Sequence, residues 1–152
     1  MELLWQRLDG QDAHAAGRAL LRRLCGGELP EIAFGAHGKP YFPADARHFS
    51  ISHCANHVFV CLSARAVGLD AEEKGRRVSA AMPSRVLSGA EYRRWEAAPN
   101  RDEAFLRLWV LKEAAAKRSG EGIFAALRGT DFSPDDPRVR EIDGCFVAIL
   151  ED

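Results

Sequence analysis

The chain of 152 residues is 47% hydrophobic and 28% charged, the composition of one globular domain or of two small lobes sharing a core. A formal net charge of −1 excludes a broad electrostatic footprint for nucleic acid or an anionic membrane, so any anionic partner must meet a local basic patch. No apolar run spans a bilayer, and MELLWQRLDG lacks the basic-then-apolar form of a signal peptide. Cys25, Cys54, Cys61 and Cys145 share no CxxC spacing and are too few for a disulfide scaffold, which predicts buried free thiols in a reducing cytoplasm.

In chain order, Asp12 to Leu24 predicts a helix capped by Asp12 and stopped by Gly26-Gly27. Leu20, Leu21 and Leu24 form its buried side. Arg18 and Arg22 share another face, with Arg23 alongside; that face is either solvated or an anion site. A turn-rich connection from Gly35 to Pro43 carries Lys39, a candidate phosphate contact in a loop shaped by Gly38 and Pro40. From Val58 to Ser63 the residues alternate as in a strand, and a second strand runs from Val67 to Glu72. So short a link between them predicts an antiparallel hairpin.

On the second strand Gly68, Asp70 and Glu72 share one face. Two carboxylates at i and i+2 repel, which either solvent relieves or a hard divalent cation such as Mg²⁺ does. Gly68 leaves room there for a close approach. Further on, a charged loop covers Glu73 to Arg77, and Ser79 to Leu87 suggests a short helix interrupted by Pro83. Ser88 and Glu91 spell a capping box at the start of another helix. The longest helix is predicted from Asp102 to Arg118, closed by Gly120 and Gly122. A loop follows from Thr130 to Arg140, and Cys145 to Leu150 reads as a last strand.

In the long helix, Phe105 and Trp109 make an aromatic stripe that continues into Glu113 and Lys117. Either this is a surface ion pair at (i, i+4), or the two charges sit at the margin of a core where desolvation makes them useful. The histidines invite a zinc reading, with His53 and His57 in HxxxH spacing, Cys54 between them and His48 nearby. Because this stretch runs into a strand rather than along a helix face, and nothing else matches zinc-ligand spacings, a structural zinc is the weaker reading.

Taken together, GKPYFP, FSISH, GLDAEE, RVLSGAEYRRW and LWVLKEAAAKRSGEG, in that order, resemble the 4′-phosphopantetheinyl transferases of the surfactin-synthetase type. The resemblance is dense from Gly35 to Ile123 and looser elsewhere. It implies an α+β fold of two similar lobes forming a pseudo-dimer, with antiparallel strands packed on helices. Here the first lobe would be shortened, residues 1–66, and residues 67–152 would form the lobe carrying the metal site. The implied reaction is Mg²⁺-dependent, with Mn²⁺ as an alternative ion. It moves the phosphopantetheine arm of coenzyme A onto a serine of an acyl or peptidyl carrier protein and releases 3′,5′-ADP.

By motif, the resemblance makes Asp70, Glu72 and Glu113 the metal ligands, Glu113 the favoured base for the carrier serine, and Lys117 the cation on the phosphate under attack. It puts Ser52, His53 and Lys39 against coenzyme A, with Lys112 a weaker candidate. Either Arg18 and Arg22, beside Arg23, would stand in for basic residues that the family's longer leader supplies to the 3′-phosphate, or coenzyme A would be held weakly. Ser50 departs from the family, which more often has Asn there. Arg76, Arg77, Arg85, Arg93 and Arg94 are candidate docking charges for an acidic carrier protein. The alternative is a catalytically impaired relative that binds coenzyme A or a carrier. Nucleic acid and membrane are not expected partners, and the expected assembly is a monomer or a homodimer.

Overall fold

One amphipathic helix, one long helix buried on most of its sides, and two small sheets decide the architecture. The computed structural model describes residues 1–127 and 129–152. Strand β1 (Glu2–Arg7) leads into helix α1 (Ala13–Leu24), where the Asp12 carboxylate accepts from the Ala15 amide at 2.7 Å and Leu20 and Leu21 are buried. Two short strands, β2 (Ala33–Phe34) and β3 (Pro40–Tyr41), frame the Gly38 turn. Strands β4 (His48–His53) and β5 (His57–Ser63) form a hairpin, and β1 pairs along the other edge of β5, giving the sheet order β1-β5-β4.

The second sheet has the order β6-β8-β7, from β6 (Val67–Glu73), β7 (Val139–Ile142) and β8 (Cys145–Glu151). Between β6 and β7 lie α2 (Met82–Val86), α3 (Gly89–Glu96), α4 (Arg101–Ser119) and α5 (Ile123–Leu127). Pro83 sits in the first turn of α2, where its missing N–H costs nothing, so it starts the helix rather than interrupting it. Ser88 and Glu91 make the full capping box of α3, Asn100 caps α4, and Gly120 ends α4 with φ of 74°. Both sheets follow one plan. The first and third strands pair at the centre, the second strand flanks the third, and a helix packs on one face.

The predicted β5–β6 hairpin does not form. The connection through Ala64-Arg65-Ala66 carries the chain from one sheet to the other instead. Phe59 and Cys61 of β5 then face Val67, Leu69 and Ala71 of β6 across a shared apolar layer, completed by Cys145 and Val147. Burying both strands this way removes more apolar surface than a two-stranded ribbon would. The exposed ladder of edge strand β6 is met by side chains: Ser50 Oγ accepts from the Leu69 amide at 3.0 Å, and Ser52 Oγ from the Ala71 amide at 3.3 Å.

Each sheet also has its own core. One joins Leu20 and Leu21 to Phe42, Phe49, Val58, Val60 and Leu62; the other joins Leu106, Leu108, Leu111 and Ala114 to Phe146, Ala148 and Leu150. Helix α4 lies so close to β6 that a Cβ on Gly68 would stand 1.9 Å from the Ala114 carbonyl oxygen and 2.4 Å from the Arg118 amide nitrogen. The close approach at Gly68 is therefore by the protein's own helix. Among the described residues, no helix is long and apolar enough to cross a membrane.

Candidate active site

Gly68 sets the distance between β6 and α4, and the side chains on the facing surfaces meet as a result. Asp70 is buried on β6, and Lys117 comes down from α4 to donate to its Oδ1 at 2.7 Å. Ser52, from the neighbouring edge of β4, donates to the same oxygen at 2.8 Å and accepts from Lys117 Nζ at 3.1 Å. Three elements thus contribute to one hydrogen-bonded triad. The surface pair between Glu113 and Lys117 is not made, because Lys117 is committed to Asp70.

Glu72, two residues on and half-buried, accepts from the Trp109 indole at 3.1 Å and from Arg76 at 2.5 Å. Trp109 stacks on buried Phe105 with ring centroids 6.1 Å apart. The aromatic stripe of α4 is therefore both core and the group that aims a carboxylate. Burial raises the pKa of Glu72 above the ordinary carboxylate value and the charge of Asp70 adds to it, while Arg76 opposes. Burial likewise raises Glu113, reinforced by the charges of Asp70 and Glu72 and opposed by Lys117.

Asp70 raises the proton affinity of Glu72, and both raise that of Glu113, so the group is short of positive charge. An all-oxygen, half-buried donor set of this kind suits a hard divalent cation. Among the described residues, the three do not draw their oxygens within 4.8 Å of one another. Lys117 also sits against Asp70 and Arg76 against Glu72, so an ion would have to draw Asp70, Glu72 and Glu113 inward past these two cations.

Two hollows adjoin this group. One, of about 410 Å³, runs from His14 and Arg18 on α1 past Ser52 and His53 to Asp70, Glu72 and Lys117. The other, of about 250 Å³, is bounded by Lys39, Ser50, Glu113, Lys117 and Gly120. Lys117 lines both, so the hollows meet at the triad. Lys39 donates to the Arg118 carbonyl at 2.5 Å, capping the end of α4, and burial lowers its pKa. His53 is exposed and packs edge-on against His14 at 5.5 Å between centroids. Of the predicted site residues, Arg22 and Lys112 line neither hollow; Arg22 lies exposed in the last turn of α1.

The description "4′-phosphopantetheinyl transferase superfamily" matches residues 66–147, which contain β6, α4 and the Asp70, Glu72, Glu113 and Lys117 group. The chain belongs to that superfamily. A 4′-phosphopantetheinyl transferase of Bacillus subtilis is 31% identical over 128 residues, 77% of this chain and 57% of the relative. The transferase AcpT of Salmonella typhimurium is 36% identical over 110 residues, 69% of this chain and 57% of the relative. The transferase Sfp of Bacillus subtilis strain 168 is 35% identical over 96 residues, 60% of this chain and 42% of the relative. The chain spans little more than half the length of the first two relatives.

Other residues of the superfamily motifs have structural work. Lys112 is fully buried and pairs with fully buried Glu91 at 2.8 Å, tying α3 to α4 at a distance from the triad. Glu91 also accepts from the Phe132 amide at 2.9 Å. Of the five candidate docking arginines, Arg76 is engaged with Glu72 and Arg94 donates to the Phe132 carbonyl at 2.8 Å. The zinc reading changes too. His48 and His53 lie exposed on β4, while Cys54 and His57 turn toward Cys145 of β8, a partner that local spacing does not reveal.

Proposed function

We propose that this protein transfers the 4′-phosphopantetheine arm of coenzyme A to a serine of an acyl or peptidyl carrier protein, with Mg²⁺, releasing 3′,5′-ADP. The observation that carries the reading is the meeting of Asp70, Ser52 and Lys117 between β4, β6 and α4, with Glu72 and Glu113 beside them, in a member of this superfamily. The shared strand order of the two sheets supports reading residues 1–66 and 67–152 as similar lobes of a pseudo-dimer.

Transfer of a phosphoryl-type group needs neutralised charge on the pyrophosphate and a nucleophile held in line. When bound to Asp70, Glu72 and Glu113, the cation supplies that neutralisation. Lys117 adds an ammonium that can turn from Asp70 to a phosphate oxygen, since both hollows open on it. Glu113 lies in the hollow free of Ser52 and Arg18, where its carboxylate is placed to accept the hydroxyl proton of the carrier serine. Arg18, Ser52 and His53 line the other hollow and form the natural cradle for the nucleotide end of coenzyme A.

The test is incubation of the protein with coenzyme A, Mg²⁺ and apo carrier protein, read by mass spectrometry of the carrier. A gain of one phosphopantetheine arm is expected, and its absence across several carrier types removes the proposal. Glu113→Gln should abolish transfer and leave the circular dichroism spectrum intact. Tight binding of coenzyme A that ignores Mg²⁺, without turnover, would identify a non-catalytic binding relative.

A further inference from the structure

The β4–β5 turn brings Cys54 and His57 to the start of β8. There Cys54 Sγ stands 3.7 Å from Cys145 Sγ, and Cys145 Sγ stands 3.4 Å from His57 Nδ1. All three donor atoms lie within 4.8 Å of one another, and among the described residues no other three such side chains are drawn so close. With bonds of about 2.3 Å to sulfur and about 2.0 Å to nitrogen, tetrahedral zinc sets its sulfur–sulfur edge near ~3.8 Å and its sulfur–nitrogen edge near ~3.5 Å. The Cys54–Cys145 and Cys145–His57 separations already match those edges.

A second observation concerns the far side of the imidazole. His57 Nε2 lies 2.9 Å from Asp143 Oδ2, and Asp143 is gripped by Arg7 through two contacts of 2.7 and 2.8 Å. A carboxylate on the outer nitrogen holds the proton there, leaves the Nδ1 lone pair facing the thiols, and is the usual outer partner of a zinc-bound histidine. Glu73 Oε1 lies 3.6 Å from Nδ1, held by the Asn56 backbone and side-chain amides at 2.9 Å each. A surface hollow lined by Asn56, His57, Glu73 and Asp143 reaches the imidazole from solvent.

We propose that Cys54, Cys145 and His57 Nδ1 bind one zinc ion, with Glu73 as the nearest carboxylate to the fourth position. On uptake the two S–H bonds break, two protons leave to solvent, two zinc–sulfur bonds form, and His57 binds through its lone pair; no oxidant takes part. Cys54 and His57 belong to one sheet's hairpin and Cys145 to the other sheet's central strand. The ion therefore ties the two sheets together across their shared apolar layer. It shares no residue with Asp70, Glu72 and Glu113.

Reduced protein stripped with a chelator and given zinc is expected to retain one zinc per chain by elemental analysis, with a higher thermal midpoint. Cobalt(II) in its place should give tetrahedral d–d bands and a thiolate-to-cobalt charge-transfer band, which separates this site from any ion on the carboxylates. Cys54→Ser, at a half-buried position, should sharply weaken both signals, and Asp143→Asn should weaken binding by about 10–100-fold. Cys25→Ser and Cys61→Ser should leave them unchanged. Cys145→Ser risks the fold, so Cys54→Ser and Asp143→Asn are the deciding variants. Zinc well below one per chain, an octahedral cobalt spectrum, or binding indifferent to Cys54→Ser overturns the proposal. So does a Cys54–Cys145 disulfide in a protein that takes up no metal once reduced.

Discussion

At the scale of single residues, the motif around Glu113 mixes two kinds of charge that sequence alone does not separate. Lys112 and Glu113 are neighbours, yet Lys112 points into the core at Glu91 and Glu113 to the hollow. Replacing Lys112 by Met leaves Glu91 as an uncompensated buried charge and should cost about 3–5 kcal/mol, read by urea denaturation. A wild-type midpoint in that variant would show that the pair carries no weight. Gly68 is the other residue whose role differs from what its place on the strand suggests. Gly68→Ala puts a methyl against backbone atoms that cannot rotate away. It should destabilise by about 1–3 kcal/mol or more and push Lys117 off Asp70, lowering transfer more than unfolding accounts for. Asp70, Glu72, Glu113 and Lys117 are legible as a group because one strand and one helix carry all four. Trp109 as the donor to Glu72 is not, since its spacing is that of an ordinary core residue.

Among the elements, α1, α3 and α4 are legible from their caps because Asp12, Ser88 and Gly120 act through bonds that span a few residues. Strands depend on partners far away in the chain. β4 escapes the sequence pattern because Ser50 and Ser52 occupy the face that meets β6, where a core strand would show apolar residues. β7 falls partly in an expected loop; it is four residues long, and its pairing with β8 defines it. The ends of β5 and β8 meet through Ser63, whose hydroxyl donates to Glu151, and Arg65, which bonds the same carboxylate at 2.7 Å. The Ser63 hydrogen bond and then Arg65 hold the Glu151 pKa below its ordinary value of 4.5. A depressed carboxylate pKa stabilises the native state above that ordinary value, and the contribution is lost as pH falls through the folded value. Glu151→Gln should therefore flatten the acid limb of the thermal midpoint against pH. A limb as steep as that of the parent would assign acid sensitivity elsewhere.

For the molecule as a whole, the candidate site sits at a seam. The edges of β4 and β6 are joined by serine hydroxyls, and Ser52 bonds both the β6 backbone and Asp70. Sequence periodicity describes each sheet's own core well, because those contacts recur along one strand or helix. It is blind to the layer between sheets and to the approach of Cys145 to His57, which are 88 residues apart. The two-sheet division, with its turn at Ala64-Arg65-Ala66, follows from that layer and contradicts the simple hairpin expected from the short link.

The same crossing makes the backbone expendable at one point. Each side of Arg65 carries its own three-stranded sheet, helix and core, and the two halves recognise each other through the apolar layer and the serine contacts rather than through a continuous strand. Residues 1–65 and 66–152 produced as separate polypeptides in one cell should therefore find each other and co-purify as a complemented pair. Each alone should aggregate, with Val67, Leu69 and Phe59 left bare. Failure of the pieces to associate would mean that the covalent link, and not the fit of the surfaces, holds the halves in register.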